Sequence, residues 1–247
     1  MINEIAQHRS IRKYKSDSIP DNILTEILNA GIRASNTGNM QLYSIVVTKS
    51  AEIKEKLLPA HFNQPMIKNA PVVLTFCADV NRFSKWCEMR NAQAGFHNMQ
   101  SIITAFIDAS LVAENVCIEA EAHNLGICYL GTTTYNAQQI IEALQLPKGV
   151  VPVTTVTLGY PAEEPELTPR LPLNAVIHDE TYHDYSEQSI NSAYSAMEAD
   201  PKNARFIAEN NKQNLAQVFA EVRYSKANNE YFSLELLKAI KQQGIEF

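Results

Sequence analysis

Glycine is scarce in this chain, with eight residues in 247, and none falls in a GxGxxG pattern. The turn that cradles a pyrophosphate in a Rossmann dehydrogenase is therefore missing. Gly126 and Gly131 have the spacing of a phosphate-binding P-loop, but Thr132 stands where its lysine must be, which argues against a nucleoside triphosphatase. There is no HExxH, GxSxG, SxxK or EF-hand pattern, and the six histidines are scattered, so metal hydrolysis and serine chemistry lack their parts. The four cysteines, at 77, 87, 117 and 128, form neither a CxxC pair nor a metal-ligand spacing. All but Cys87 sit among apolar neighbours, as reduced, buried thiols do. Positive charge is also short: 21 Lys and Arg against 27 Asp and Glu give a net charge of −6. No basic face is available for nucleic acid, so any anion site must be local. No uninterrupted apolar run approaches the ~20 residues of a membrane span, and the start of the chain has no apolar leader. The expectation is a cytoplasmic protein with neither membrane nor nucleic acid as partner.

What is present is an ordinary globular composition, 45% apolar and 19% charged, with alternating helix and strand signals. Pro20 and Asp21 open an i, i+4 pattern through Ile23, Leu24, Ile27 and Leu28 that ends at Gly31. Segments 42–49 and 72–78 read as core strands. Segment 99–124 places Ile102, Ile103, Phe106, Ile107, Leu111, Val116 and Ile118 at helical spacings, which predicts a long, largely buried helix. It is also the candidate dimer element. A strand at 127–130, a helix at 137–144 capped by Asn136, and a strand at 150–158 follow. Four prolines between 161 and 172 favour an extended segment. Beyond 179 the chain is more polar, with helical patterns over 204–222 and 232–240 closing at Gly244. By themselves these alternations suggest a parallel α/β sheet. The division expected is a core of 1–178 and a helical extension of 179–247.

A chain with so few reactive motifs borrows its chemistry from a cofactor. The densest polar segment is His8-Arg9-Ser10-Ile11-Arg12-Lys13-Tyr14, four potential cations and a hydroxyl in an acidic protein. Arginine's planar fork suits phosphate, and a solvated basic patch is the alternative. Three further segments bear on the choice. They are Ala34-Ser35-Asn36-Thr37-Gly38-Asn39-Met40-Gln41, Gln64 ahead of a strand, and Gly159-Tyr160-Pro161-Ala162 running on to Leu167-Thr168-Pro169-Arg170-Leu171-Pro172. In this order, and over most of the chain, they resemble the nitroreductase family of flavoproteins, in particular its larger NADPH-preferring branch of oxygen-insensitive nitroreductases and flavin reductases.

The resemblance implies an α+β fold, with a mostly antiparallel sheet between helices, and a homodimer with FMN at the interface. The C-terminal helical extension is expected to pack on the core and on the partner subunit. It assigns His8, Arg9 and Ser10 to the FMN phosphate and ribityl chain, with Arg170 closing on the phosphate from the far side. Arg12 falls at the N1 and O2 edge of the flavin, where fixed positive charge favours the anionic reduced ring. Ser35, Asn36, Thr37, Asn39 and Gln64 match polar positions lining the ring and ribityl chain, commonly from the partner. Tyr129, Leu130, Gly131 and Thr132 pass over the ring's other side, where a glycine allows close backbone approach. Turn chemistry for the hydroxyl residues and core packing for Tyr129 and Leu130 are the competing roles. Two departures stand out: Thr168 replaces the usual lysine and Thr132 the usual second glycine.

The activity implied is an FMN-dependent NAD(P)H oxidoreductase that reduces small acceptors, such as nitroaromatics, quinones or free flavin, by ping-pong hydride transfer. No side chain is assigned to proton transfer. For an NADPH 2′-phosphate the candidates are Lys202 and Arg205, with Arg223 and Lys226 as alternatives. A flavin-binding storage or sensing protein with little turnover is the rival function. An enzyme of the same fold specialised for dehalogenation or ring fragmentation is a third.

Overall fold

The computed structural model describes all residues from Met1 to Phe247. After a single helical turn at Asn3–Ala6, the chain runs α1 (Asp21–Gly31), β1 (Tyr43–Thr48), α2 (Ala51–Leu57), α3 (Pro65–Asn69), β2 (Val72–Asp79), α4 (Asn81–Met89), α5 (Met99–Ala122), β3 (Gly126–Leu130), α6 (Ala137–Leu144) and β4 (Val150–Gly159). Three longer helices follow: α7 (Glu187–Glu198), α8 (Pro201–Glu209) and α9 (Lys226–Gln242). By internal contacts the chain divides into two compact units, Met1–Glu166 with Phe232–Phe247, and Leu167–Tyr231. The first cut falls earlier than position 178, and the last sixteen residues group with the first unit.

The first unit is built on one four-stranded sheet in the order β1-β2-β4-β3. Every ladder is antiparallel, which corrects the parallel sheet that alternation alone suggests and agrees with the α+β class. Long connections, not crossover helices of βαβ type, carry the chain between neighbouring strands. β2 is buried at every position, as its continuous apolar and β-branched run requires. Helix α5 lies against this sheet: Val112, Val116 and Ala120 are fully buried in a cluster with Ile27 of α1, Leu74 and Phe76 of β2, and Val156 and Leu158 of β4. Gly31 lets α1 and α5 approach, since an added Cβ would collide with Val116.

By length and composition α5 could cross a membrane, a property that a search for uninterrupted apolar runs does not find. Its environment is that of a core helix, because Asp108 at its middle is fully buried and serves as a hydrogen-bond acceptor for the 37–42 loop. The opposite stripe of α5 is apolar and open: Ile103, Ile107 and Leu111 are 47%, 53% and 42% exposed. With Met99, Phe106, Leu236 and Ile240 they line an almost wholly apolar groove of 460 Å³.

Two local expectations are corrected. Asn136 makes no side-chain cap for α6; its amide donates instead to the Ala60 carbonyl at 2.8 Å. The helical pattern over 204–222 is not continuous: α8 ends at Glu209, and the chain resumes as a short turn at Leu215–Gln217 and a π-helical turn at Val218–Arg223. Asn210 and Asn211 interrupt it, Asn211 in the left-handed region at φ 54°. All four cysteines are free, and only Cys87 is incompletely buried. Burial pushes the Cys77 thiol up to about 12, so it remains a thiol at neutral pH.

Candidate functional site

The N-terminal cluster is docked on the β3 edge of the sheet. Ser10 forms a parallel bridge with Ile127, and the Ile11 amide donates to the Ile127 carbonyl at 2.8 Å. Gly126 makes this possible, since a Cβ there would stand 2.6 Å from the Ile11 side chain. Tyr14 anchors the far end, its hydroxyl 2.7 Å from Thr157 Oγ1 and 2.6 Å from the Ile11 carbonyl oxygen. Burial raises the Tyr14 pKa, so the phenol stays protonated.

Within this segment the cations differ in what they touch. His8 Nδ1 lies 2.9 Å from Glu121 Oε1, and burial pushes the Glu121 carboxyl up while His8 opposes it. Arg9 donates to the Pro165 carbonyl at 2.9 Å and reaches Glu164 at 3.4 Å. The Ser10 side chain is half-buried. Arg12 is exposed, and its guanidinium has no hydrogen bond or ion pair. Its backbone N–H, with that of Lys13, donates to Glu163 Oε1 at 2.7 and 3.0 Å. Glu121 and Glu163 are thus the acidic residues that hold the basic segment, and neither belongs to a motif that singles it out.

β3 delivers Tyr129 and the buried Leu130 to a turn at Gly131–Thr133. A Cβ at Gly131 would meet nothing within 4 Å, so the backbone there faces open space. Thr133 Oγ1 ties the turn to the Leu130 carbonyl at 2.9 Å. The turn after α2 packs beneath it, with His61 Nδ1 2.8 Å from Thr132 Oγ1. Phe62 and Asn63 then take left-handed backbone, φ 52° and 57°, and lead to Gln64 at the N-cap position of α3. Phe62, Tyr135 and Phe232 form a ring cluster nearby, with Tyr135 stacked on Phe232 at 4.6 Å.

The loop of Ser35, Asn36, Thr37 and Asn39 lies elsewhere. It enters β1, and two strands, β2 and β4, intervene between β1 and β3. Gly38, Asn39 and Gln41 all have positive φ, at 58°, 56° and 54°. Such a run of left-handed residues persists only when the surroundings over-determine it. Asp108 supplies the constraint, accepting from the Thr37 amide at 3.0 Å and the Leu42 amide at 3.1 Å. Asn36 Oδ1 is buried and has no hydrogen-bond partner within the chain.

Thr168 and Arg170 belong to the second unit, where both are exposed and Arg170 donates to the Thr168 carbonyl at 2.9 Å. Lys202 and Arg205 are exposed on α8. Arg205 pairs with Glu209 at 2.7 Å, Arg223 stacks over Phe206 at 4.4 Å, and Lys226 reaches Glu230 at 3.7 Å. A groove of 710 Å³ with a mixed polar and apolar lining includes Arg9, Glu121, Glu163 and Glu164 but not Ser10, Arg12 or the Gly131 turn.

His61 is fully buried, and burial lowers its pKa from 6.5 to about 4. The folded ring stays neutral while the unfolded one protonates, so the folded state loses stability as pH falls from about 6.5 toward 4. The expected loss is roughly 3 kcal/mol across that window. Urea unfolding of the wild type and of His61→Gln at pH 7 and pH 4.5 isolates it, and equal pH dependence in the two would contradict the assignment.

An antiparallel α+β sheet with a docked basic N-terminus, a glycine turn open to solvent and a strained polar loop defines a nucleotide-cofactor scaffold outside the Rossmann class. The chain belongs to the nitroreductase family: the family's sequence profile, described as "Nitroreductase family", matches residues 5–160. It is 30% identical over 230 residues to the "FMN reductase [NAD(P)H]" of Bacillus subtilis (strain 168), covering 91% of this chain and 92% of that protein. It is 31% identical over 187 residues to the "Oxygen-insensitive NADPH nitroreductase" of Salmonella typhimurium, covering 76% of each. Among solved structures, a putative oxidoreductase from Bacteroides fragilis NCTC 9343 superposes with a TM-score of 0.98 at 53% identity over the full length of both chains.

Proposed function

We propose that this protein is an FMN-dependent NAD(P)H oxidoreductase that reduces small acceptors such as nitroaromatics, quinones or free flavin. FMN, when bound, would supply hydride-transfer chemistry between a nicotinamide and a small acceptor. The chain's own residues bind, orient and tune. Arg9 and Ser10, with His8 beside them, hold the phosphate and ribityl chain, and Arg170 and Thr168 add to that grip. Arg12 sets positive charge at the ring's polar edge. Tyr129, Leu130, Gly131 and Thr132 cover one side of the ring, with Gln64 contributing from α3. Lys202 and Arg205 serve the 2′-phosphate of NADPH, and NADH is the alternative donor.

The observation that carries this reading is the separation of two polar half-sites on opposite edges of one sheet. His8–Arg12 and the Gly131 turn lie on the β3 edge, and Ser35–Asn39 on the β1 edge. They complete one cradle when two chains combine, each lending its β1 loop to the other's β3 edge. The exposed Ile103, Ile107 and Leu111 stripe of α5 supplies the apolar surface for that homodimer. The assembly works in the cytoplasm.

Ile107→Glu tests the shared cradle. A charge placed in the apolar stripe is expected to yield a monomer by sedimentation, and FMN affinity is expected to fall by at least about a hundredfold as half the polar contacts leave. A monomer that binds FMN as tightly as the wild type would contradict the two-chain site.

A further inference from the structure

The departure at Thr132 is matched by a partner that no motif announces. His61 is fully buried beneath the Gly131–Thr133 turn, and its one hydrogen bond joins Nδ1 to Thr132 Oγ1 at 2.8 Å. Its other nitrogen, Nε2, is buried with no partner. That asymmetry bears on the tautomer. A neutral imidazole has one N–H and one bare nitrogen, and a buried N–H without an acceptor is the costlier defect. On that ground the Nδ1–H tautomer, with its proton donated to Thr132, is the expected one. The turn around His61 is held on both sides: the Asn136 amide clasps the Ala60 carbonyl at 2.8 Å, and the Gln64 amide donates to the His61 carbonyl at 3.1 Å.

With one lone pair of Oγ1 taken by His61, the Thr132 hydroxyl is oriented, and its own proton points away from the buried ring. Thr132 Oγ1 has no other partner, and the neighbouring Gly131 opens on empty space. We propose that His61 is a positioning residue that converts Thr132 from a steric intrusion into an aimed hydrogen-bond donor in the cofactor and acceptor cleft. Its ligand is a hydrogen-bond-accepting oxygen or nitrogen on a planar ring, carried either by the flavin or by the acceptor stacked on it. This rests on the flavin reading of the cleft, and it assigns the chain a specificity determinant built from two residues.

The test has one arm independent of turnover. Long-range proton–nitrogen NMR of the imidazoles in the FMN-loaded protein and in the apoprotein is expected to show His61 with the proton on Nδ1. A proton on Nε2 would overturn the proposal even if the protein bound no flavin at all. In the loaded protein, Thr132→Val is expected to change one observable by about three- to tenfold, the range of one lost hydrogen bond, while Thr132→Ser restores it. If the ligand is the flavin, FMN affinity and the flavin potential shift; if it is the acceptor, KM for a quinone rises at unchanged potential. His61→Gln should act through the same bond, so its effect and that of Thr132→Val should not add in the double variant. Should His61→Gln fail to fold, the Val and Ser pair and the tautomer still decide. Silence of Thr132→Val in both observables, or additivity in the double variant, would refute the pairing. Protein that takes up no FMN would instead refute the flavin reading, and the tautomer would stand or fall separately.

Discussion

Replacing Arg12 with alanine is expected to slow flavin reduction by NADPH at least about a hundredfold while weakening FMN binding less than tenfold. The asymmetry follows from what Arg12 touches. Its backbone is fixed by Glu163, while its guanidinium is exposed and free of hydrogen bonds and ion pairs in the chain, so its removal leaves no buried group unpaired. It lies close enough to Cys128 on β3 to favour that thiol's ionised form, against the burial that raises its pKa. A fixed positive charge at that edge stabilises the ring as it gains negative charge, and removing one such preorganised group costs about 10²–10³ in rate. In the proposed site Arg9 and Ser10 remain to hold the phosphate. Stopped-flow absorbance and FMN titration of the same variant separate the two effects. Loss of FMN with reduction intact in the bound fraction would reverse the division of labour along the segment.

Asp108→Ala is expected to lower unfolding stability by about 3–5 kcal/mol. Its carboxylate is fully buried and receives the Thr37 and Leu42 amides. Both N–H groups would be left without their acceptor, at about 1–3 kcal/mol each. The loop they hold carries left-handed residues that need that constraint. Asn at this position keeps one good acceptor and should recover about half of the loss. In the two-chain cradle proposed above this loop lines the cofactor, so FMN affinity should fall with it. Guanidinium unfolding monitored by circular dichroism, beside a flavin titration, reads both; a loss under 1 kcal/mol would show that the loop is held by something else.

Much of the scaffold was legible in the sequence because the periodicities are clean. The patterns through Ile23–Leu28 and Ile102–Ile118, and the β-branched runs at 72–78 and 150–158, gave elements within a residue or two of α1, α5, β2 and β4. Strand direction was not legible locally. A buried run such as Val72–Ala78 reads the same in parallel and antiparallel sheets, and only the resemblance to a known family pointed to the antiparallel order. Short helices such as α2 to α4 offer too few turns to register. The basic segment at 8–14 stood out by charge density, whereas its supports, Glu121 and Glu163, lie more than a hundred residues away and look like surface acids. Asp108 was hidden inside an apolar helix pattern as a tolerated polar residue. His61 resembled any isolated histidine, and only its burial against Thr132 distinguishes it. The continuous helix expected over 204–222 failed because spacing does not register a break at Asn210 and Asn211.

The most direct measurement is anaerobic spectroscopy of the purified protein loaded with FMN. The bound flavin's absorbance should bleach on one equivalent of NADPH or NADH and return on adding a quinone or nitroaromatic. Flavin that binds but is reduced by neither nucleotide would contradict the oxidoreductase and leave a storage or sensing protein. Protein that takes up no FMN would contradict the cradle itself.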